Sequence, residues 1–163
     1  MSSYMARRLS HLDASGRARM VDVSGKRVTL REAVARGKVF MHRDTLDLLR
    51  SGQAPKGDVI ATAQLAGVMA AKRTSELIPL AHALALDSVE LAFRFDEESP
   101  AVEIESRVRT RGRTGVEMEA LTAVTVAALA LYDMLKAVDR GMVMGEFALW
   151  GKRGGRSGVY RRR

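Results

Sequence analysis

The chain has 163 residues, 47% apolar and 28% charged, the proportions of one globular domain with a real core. It holds no cysteine, which excludes disulfides and thiolate metal sites, and its three scattered histidines argue against a histidine-rich metal centre. Six of its 27 basic side chains stand in residues 151–163, which contain no acid; the other 150 residues carry 21 basic against 19 acidic groups, so most of the +8 net charge belongs to the C-terminus. Such a tail suits phosphate, on a nucleic acid or on a small ligand.

Residues 1–19 are polar and unpatterned, without the apolar core of a signal peptide; a mobile segment and a cytoplasmic protein are expected. Residues 20–23 and the stretch from Val28 can be extended, residues 31–36 fit strand or helix, and residues 39–41 read as a strand end. Asp44 is placed to cap a short helix over 45–50 that Ser51-Gly52 stops. Asp58 is a sound N-cap for a helix expected over 59–78, where Pro79 disfavours continuation. The alanines of that helix and Gly67 would let another backbone come close. Two alternating strands follow, 88–95 and 101–110, joined by DEESP into a hairpin. Val89, Leu91, Phe93, Phe95, Val102 and Ile104 share one face of it.

The longest apolar run comes next. Thirteen residues, 120–132, contain no charge and favour Ala and Leu, so a helix of roughly six turns is expected between Gly115 and Gly141. Glu117 and Glu119 near its start, with Lys136 and Arg140 near its end, match the macrodipole. The apolar centre is short for a bilayer span, so protein is expected to cover this helix on every side, which favours oligomerisation. Residues 142–150 give a last strand. The order strand, helix, strand, strand, helix, strand predicts an α+β, ferredoxin-like (split βαβ) domain over 20–150, an antiparallel sheet with two long helices on one face. A basic, glycine-containing tail, 151–163, follows it.

Several residues along this order can carry chemistry. Lys56-Gly57-Asp58 opens a helix, where bare N–H groups and a lysine can hold a phosphate; an ordinary capped helix with an exposed lysine fits as well. Arg107, Arg109 and Arg111 alternate before residues 112–115 (GRTG). That pattern is either an anion cradle, without Walker spacing, or a solvated strand edge with a glycine turn. Glu117 and Glu119 answer the helix dipole or serve catalysis. Asp133 and Lys136 share a helix face, as an ion pair worth a few tenths of a kcal/mol or, beside so apolar a surface, as a proton-transfer pair. His82, in the loop after Pro79, is a surface polar group or the one side chain here suited to proton transfer near neutral pH. Glu119 and Asp133 lie fourteen residues apart, roughly 21 Å along a helix. Chemistry at both ends therefore means separate pockets or a pocket shared by two subunits.

Four stretches taken together resemble the MoaC family: MVDVS at 20–24, KGDVIATAQLAGVMAAKRTSELIPLAH at 56–82, GRTGVEMEALTAVTVAALALYDMLKAVDRGMVM at 112–144, and GKRGGRSG at 151–158. GVEMEALTA followed by YDMLKA is the specific part, and the resemblance covers nearly the whole chain beyond residue 19. It implies a lyase, cyclic pyranopterin monophosphate synthase, in molybdenum cofactor biosynthesis. Such an enzyme converts a cyclised dihydro-GTP, supplied by a radical-SAM partner enzyme, into cyclic pyranopterin monophosphate and pyrophosphate. The resemblance also implies a ferredoxin-like subunit in a homohexamer, a trimer of dimers with active sites at subunit interfaces. It places catalytic roles on Asp133, Lys136, Lys56 and His82, and substrate contacts on Leu80, Ala81, His82, Glu117, Met118, Glu119 and, from the tail, Lys152. No metal ligand, resident cofactor or membrane partner is implied; a divalent cation would arrive with the triphosphate. Where the family reads LCHP, this chain reads Leu80-Ala81-His82-Ala83. The competing readings are a nucleic-acid-binding module working through the arginine-rich tail, a purely structural oligomer and a catalytically idle paralogue. Only 5% of residues are aromatic, so the first has few stacking platforms.

Overall fold

The computed structural model describes residues 15–163. The chain forms β1 (Thr29–Phe40), α1 (Arg43–Arg50), α2 (Val59–Lys72), α3 (Thr74–Leu77), β2 (Ser88–Asp96), β3 (Ala101–Gly112), α4 (Glu117–Leu135), β4 (Val143–Arg153) and β5 (Tyr160–Arg161). The expected mobile segment lies outside the described residues as far as residue 14. Residues 20–23 form no strand.

β1 is central. It pairs along its length with β3 and, across two register shifts, with β4, so residues 32–36 have ladder partners on both sides while Arg31 pairs with β3 alone, and the stretch becomes strand. The sheet order is β2-β3-β1-β4-β5 with every neighbour antiparallel, and α2 and α4 pack together against it: the ferredoxin-like arrangement predicted above. Ala33, Ala35, Val39, Val102, Ile104 and Val108 form the sheet side of the core. β4 runs past Trp150 to Arg153, and β5 folds back to pair Lys152 with Tyr160. Part of the basic tail is thus a hairpin on the sheet.

The first long helix is interrupted. Thr74 Oγ1 donates to the carbonyls of Ala70 (3.3 Å) and Ala71 (3.0 Å), which ends the regular ladder after Lys72 and leaves α3 as a separate turn before Pro79. Asp58 caps α2 as expected, accepting from the Ala61 N–H at 2.9 Å. α1 differs: His42 is its N-cap and Asp44 lies within the first turn. The distant Asp139 carboxylate ties that end down, accepting from the His42 N–H at 2.9 Å and the Thr45 hydroxyl at 3.1 Å.

α4 has 19 residues, close to five turns rather than six, and Lys136 is its C-cap. Ala120, Val124, Ala127, Leu131 and Leu135 on its inner side are fully buried. Counted over the whole helix, its length and apolarity suffice to cross a membrane; in this fold it is the core helix lying on the sheet. Gly67 sets how closely α2 approaches it. A Cβ at that position would stand 2.6 Å from Leu91 Cδ2 and 2.9 Å from the Ala123 carbonyl oxygen. The outer helical surface stays uncovered within one chain, with Leu129 54% and Leu65 61% exposed.

Candidate active site

The two ends of α4 carry different groups. At its start, Glu117, Met118 and Glu119 join Leu80, Ala81 and His82 of the loop after Pro79 in the wall of a cavity of about 340 Å3. His82 Nε2 lies 2.8 Å from the Val21 carbonyl oxygen, which can only accept, so the proton sits on this nitrogen and the MVDVS stretch sets the tautomer. Glu119 is 4% exposed; its carboxyl accepts a hydrogen bond from its own backbone N–H and lies within electrostatic reach of Glu117 and of His82. Burial pushes that carboxyl up, and the negative Glu117 pushes the same way, while His82 opposes the rise.

Glu117 is held from the other side by β4. Lys152 Nζ lies 3.2 Å from Glu117 Oε1 and donates to Ser157 Oγ at 2.6 Å. Lys152 lines a second cavity, about 490 Å3, whose wall shares Val21, Lys26 and Glu117 with the first and adds the cations Arg31, Arg113 and Arg156. Arg31 is fixed by main-chain acceptors, its Nε donating to the Gly112 carbonyl at 3.3 Å and its Nη2 to that of Arg113 at 3.2 Å. Gly155, at φ +73°, makes this possible, since a Cβ there would overlap Arg31 Nη1.

At the far end of α4, Lys136 Nζ stands 2.6 Å from Asp133 Oδ1. Lys56 Nζ stands 3.3 Å from Asp133 Oδ2 and donates to the Asp133 main-chain carbonyl at 2.9 Å. Each carboxylate oxygen thus has its own ammonium. Hydrogen bonds from Lys136 and then Lys56 hold the Asp133 carboxyl below the usual carboxylate range, and Asp133 in turn holds Lys136 above that of a free lysine. Lys56 is drawn away from the start of α2 to the last turn of α4, so the phosphate reading of Lys56-Gly57-Asp58 loses its lysine.

The structure therefore gathers the sequence-derived residues into two clusters, one of Lys56, Asp133 and Lys136 and the other around His82, Glu119 and Lys152. Most of α4 separates them, roughly 21 Å from Glu119 to Asp133. Residues 113–115 line the cationic cavity. Arg107 and Arg109 do not: they turn to Glu32, at 3.3 Å and 2.6 Å, as does Arg153 at 3.1 Å. Burial alone would raise the Glu32 carboxyl, but the Arg109 hydrogen bond and the three guanidinium charges keep it low. Sequence reasoning missed Lys26 and Arg31 as wall residues. Nothing local marks Lys26, and Arg31 stood in the stretch that fitted either strand or helix. Among the described residues, no group of three or more His, Asp or Glu side chains converges as for a metal.

The MoaC family profile matches residues 20–155. The chain belongs to the MoaC family. Cyclic pyranopterin monophosphate synthase of Pelotomaculum thermopropionicum is 61% identical over 155 residues, 95% of this chain and 91% of the relative. The synthase of the same name from Heliobacterium modesticaldum is 63% identical over 152 residues, 93% and 96% of the two chains. That of Chloroflexus aurantiacus is 60% identical over 154 residues, 94% of each.

Proposed function

We infer that this chain is a cyclic pyranopterin monophosphate synthase of molybdenum cofactor biosynthesis, a lyase that rearranges cyclised dihydro-GTP to cyclic pyranopterin monophosphate and releases pyrophosphate. The observation that carries the reading is 61% identity across nearly the full length of a relative bearing that name. Opening the purine five-membered ring, closing a pyrazine and displacing pyrophosphate all require proton transfers and no change of oxidation state, and the two half-sites offer groups for these.

The pocket of Leu80, Ala81, His82, Met118 and Glu119 takes the heterocycle. The adjoining cationic cavity, with Lys152 in its wall, takes the triphosphate, on which several donors can converge. Any divalent cation belongs to the substrate, and no resident cofactor is required. Lys136 acts as general acid: the carboxylate beside it favours its ammonium form, so it has a proton to give. Lys56 holds the second oxygen of Asp133 and keeps that carboxylate turned toward Lys136.

A single chain cannot bring the two halves to one small molecule, so the site forms between subunits. One chain supplies His82, Glu117, Glu119 and Lys152; a neighbour supplies Asp133, Lys136 and Lys56. The exposed Leu65 and Leu129 on the outer helical surface, together with the half-exposed Asp133, support assembly there. The assembly is a homohexamer, a trimer of dimers, working in the cytoplasm on the product of a radical-SAM enzyme. Incubating the purified protein with that product tests the reading. Stoichiometric pyrophosphate and a fluorescent pterin after oxidation are expected; neither appearing would remove it.

A further inference from the structure

Lys26 lines three neighbouring cavities: the pocket of His82 and Glu119, the cationic cavity beside it, and a third of about 430 Å3. The third shares Lys26, Arg31 and Arg156 with the second and adds Arg27. Among the described residues its wall contains no carboxylate. In the second cavity both acids are already paired, Glu117 with Lys152 at 3.2 Å and Glu32 with Arg153 at 3.1 Å. The unpaired positive charge of that cavity is therefore carried by Lys26, Arg31, Arg113 and Arg156. Three of these four also face the third cavity.

Arg31 stands at the junction. Its guanidinium is held by the carbonyls of Gly112 and Arg113 rather than by an acid. Held by neutral acceptors, it is oriented in advance yet keeps its full charge for an incoming anion. The twin glycines 154 and 155, both at positive φ, carry the chain around it without a side chain in the way. A polyanion set free beside Lys152 can thus pass from one cavity to the next without losing contact with Lys26, Arg31 and Arg156.

We propose that this third cavity is the exit station for inorganic pyrophosphate, and the place where free pyrophosphate inhibits the enzyme, with Arg27 as the cation belonging to it alone. The proposal rests on the synthase reading of the second cavity. The test compares full-length wild type with Arg27→Gln and Arg27→Lys by calorimetric titration with inorganic pyrophosphate, with orthophosphate as control. Pyrophosphate inhibition of turnover is then measured on the same proteins. Arg27→Gln is expected to bind pyrophosphate about tenfold more weakly, Arg27→Lys to recover most of that, and the inhibition constant to rise more than KM. Equal pyrophosphate affinity in wild type and Arg27→Gln overturns the proposal. So does orthophosphate binding as tightly as pyrophosphate, or a KM that rises in step with the inhibition constant, which would put Arg27 in the triphosphate subsite. A wild type without turnover removes the synthase reading and leaves the calorimetric comparison to decide the cavity.

Discussion

Lys136 Nζ sits 2.6 Å from Asp133 Oδ1, one turn further along the same helix end, while Lys56 occupies the other carboxylate oxygen. The pair keeps the aspartate ionised and the lysine protonated. In the proposed role of general acid, Lys136 would be active until the pH rises through its elevated pKa. Asp133→Asn removes the cause of that elevation, so the alkaline limb of the residual kcat/KM profile should move to lower pH. Lys136→Ala should lose a factor of about 10²–10⁴ in kcat while the fold persists. An unmoved limb in Asp133→Asn, or full activity in Lys136→Ala, removes the acid role.

The division into half-sites makes a prediction about mixed subunits. Lys136→Ala and Lys152→Ala damage opposite halves, so equal mixing with verified exchange should restore about a quarter of wild-type activity through undamaged pairings. Lys56→Ala and Lys136→Ala damage the same half and should restore nothing. Recovery in the second mixture, or none in the first, would contradict a site shared between chains.

Glu119 supplies a stability test with a defined sign. A carboxyl raised by burial binds its proton more tightly in the folded chain. Its contribution is therefore present below the ordinary carboxylate pKa and is lost as pH rises through the raised value. Glu119→Gln should raise Tm by a few degrees at pH 8 and by less at pH 5, while turnover falls about a hundredfold. A Tm gain that is the same at both pH values would show that ionisation of this carboxyl is not coupled to folding, and that its pKa is not raised.

Gly67 tests the helix packing. In Gly67→Ala the new methyl would meet Leu91 Cδ2 and the Ala123 carbonyl at under 3 Å, so α2 and α4 must part. A loss of about 1–3 kcal/mol is expected from the urea midpoint. Unchanged stability would mean the close approach does not constrain the two helices.

Local patterns were sufficient for much of this protein. Alternation in residues 88–95 and 101–110 set the hairpin, the charge-free run at 120–132 set the core helix, and Asp58 marked a helix start, because each signal acts between residues a few positions apart. The separation of Glu119 from Asp133 also followed from the sequence, since helical rise is a fixed length per residue. Tertiary structure decided what depends on contacts far along the chain. Residues 31–36 became strand because they pair with β3 and, from Glu32, with β4, Lys56 came to Asp133 across 77 positions, and Arg31 took its place through carbonyls 81 and 82 residues away. No spacing rule reaches that far: such pairs are set by how the sheet and helices pack, and packing is a property of the whole chain.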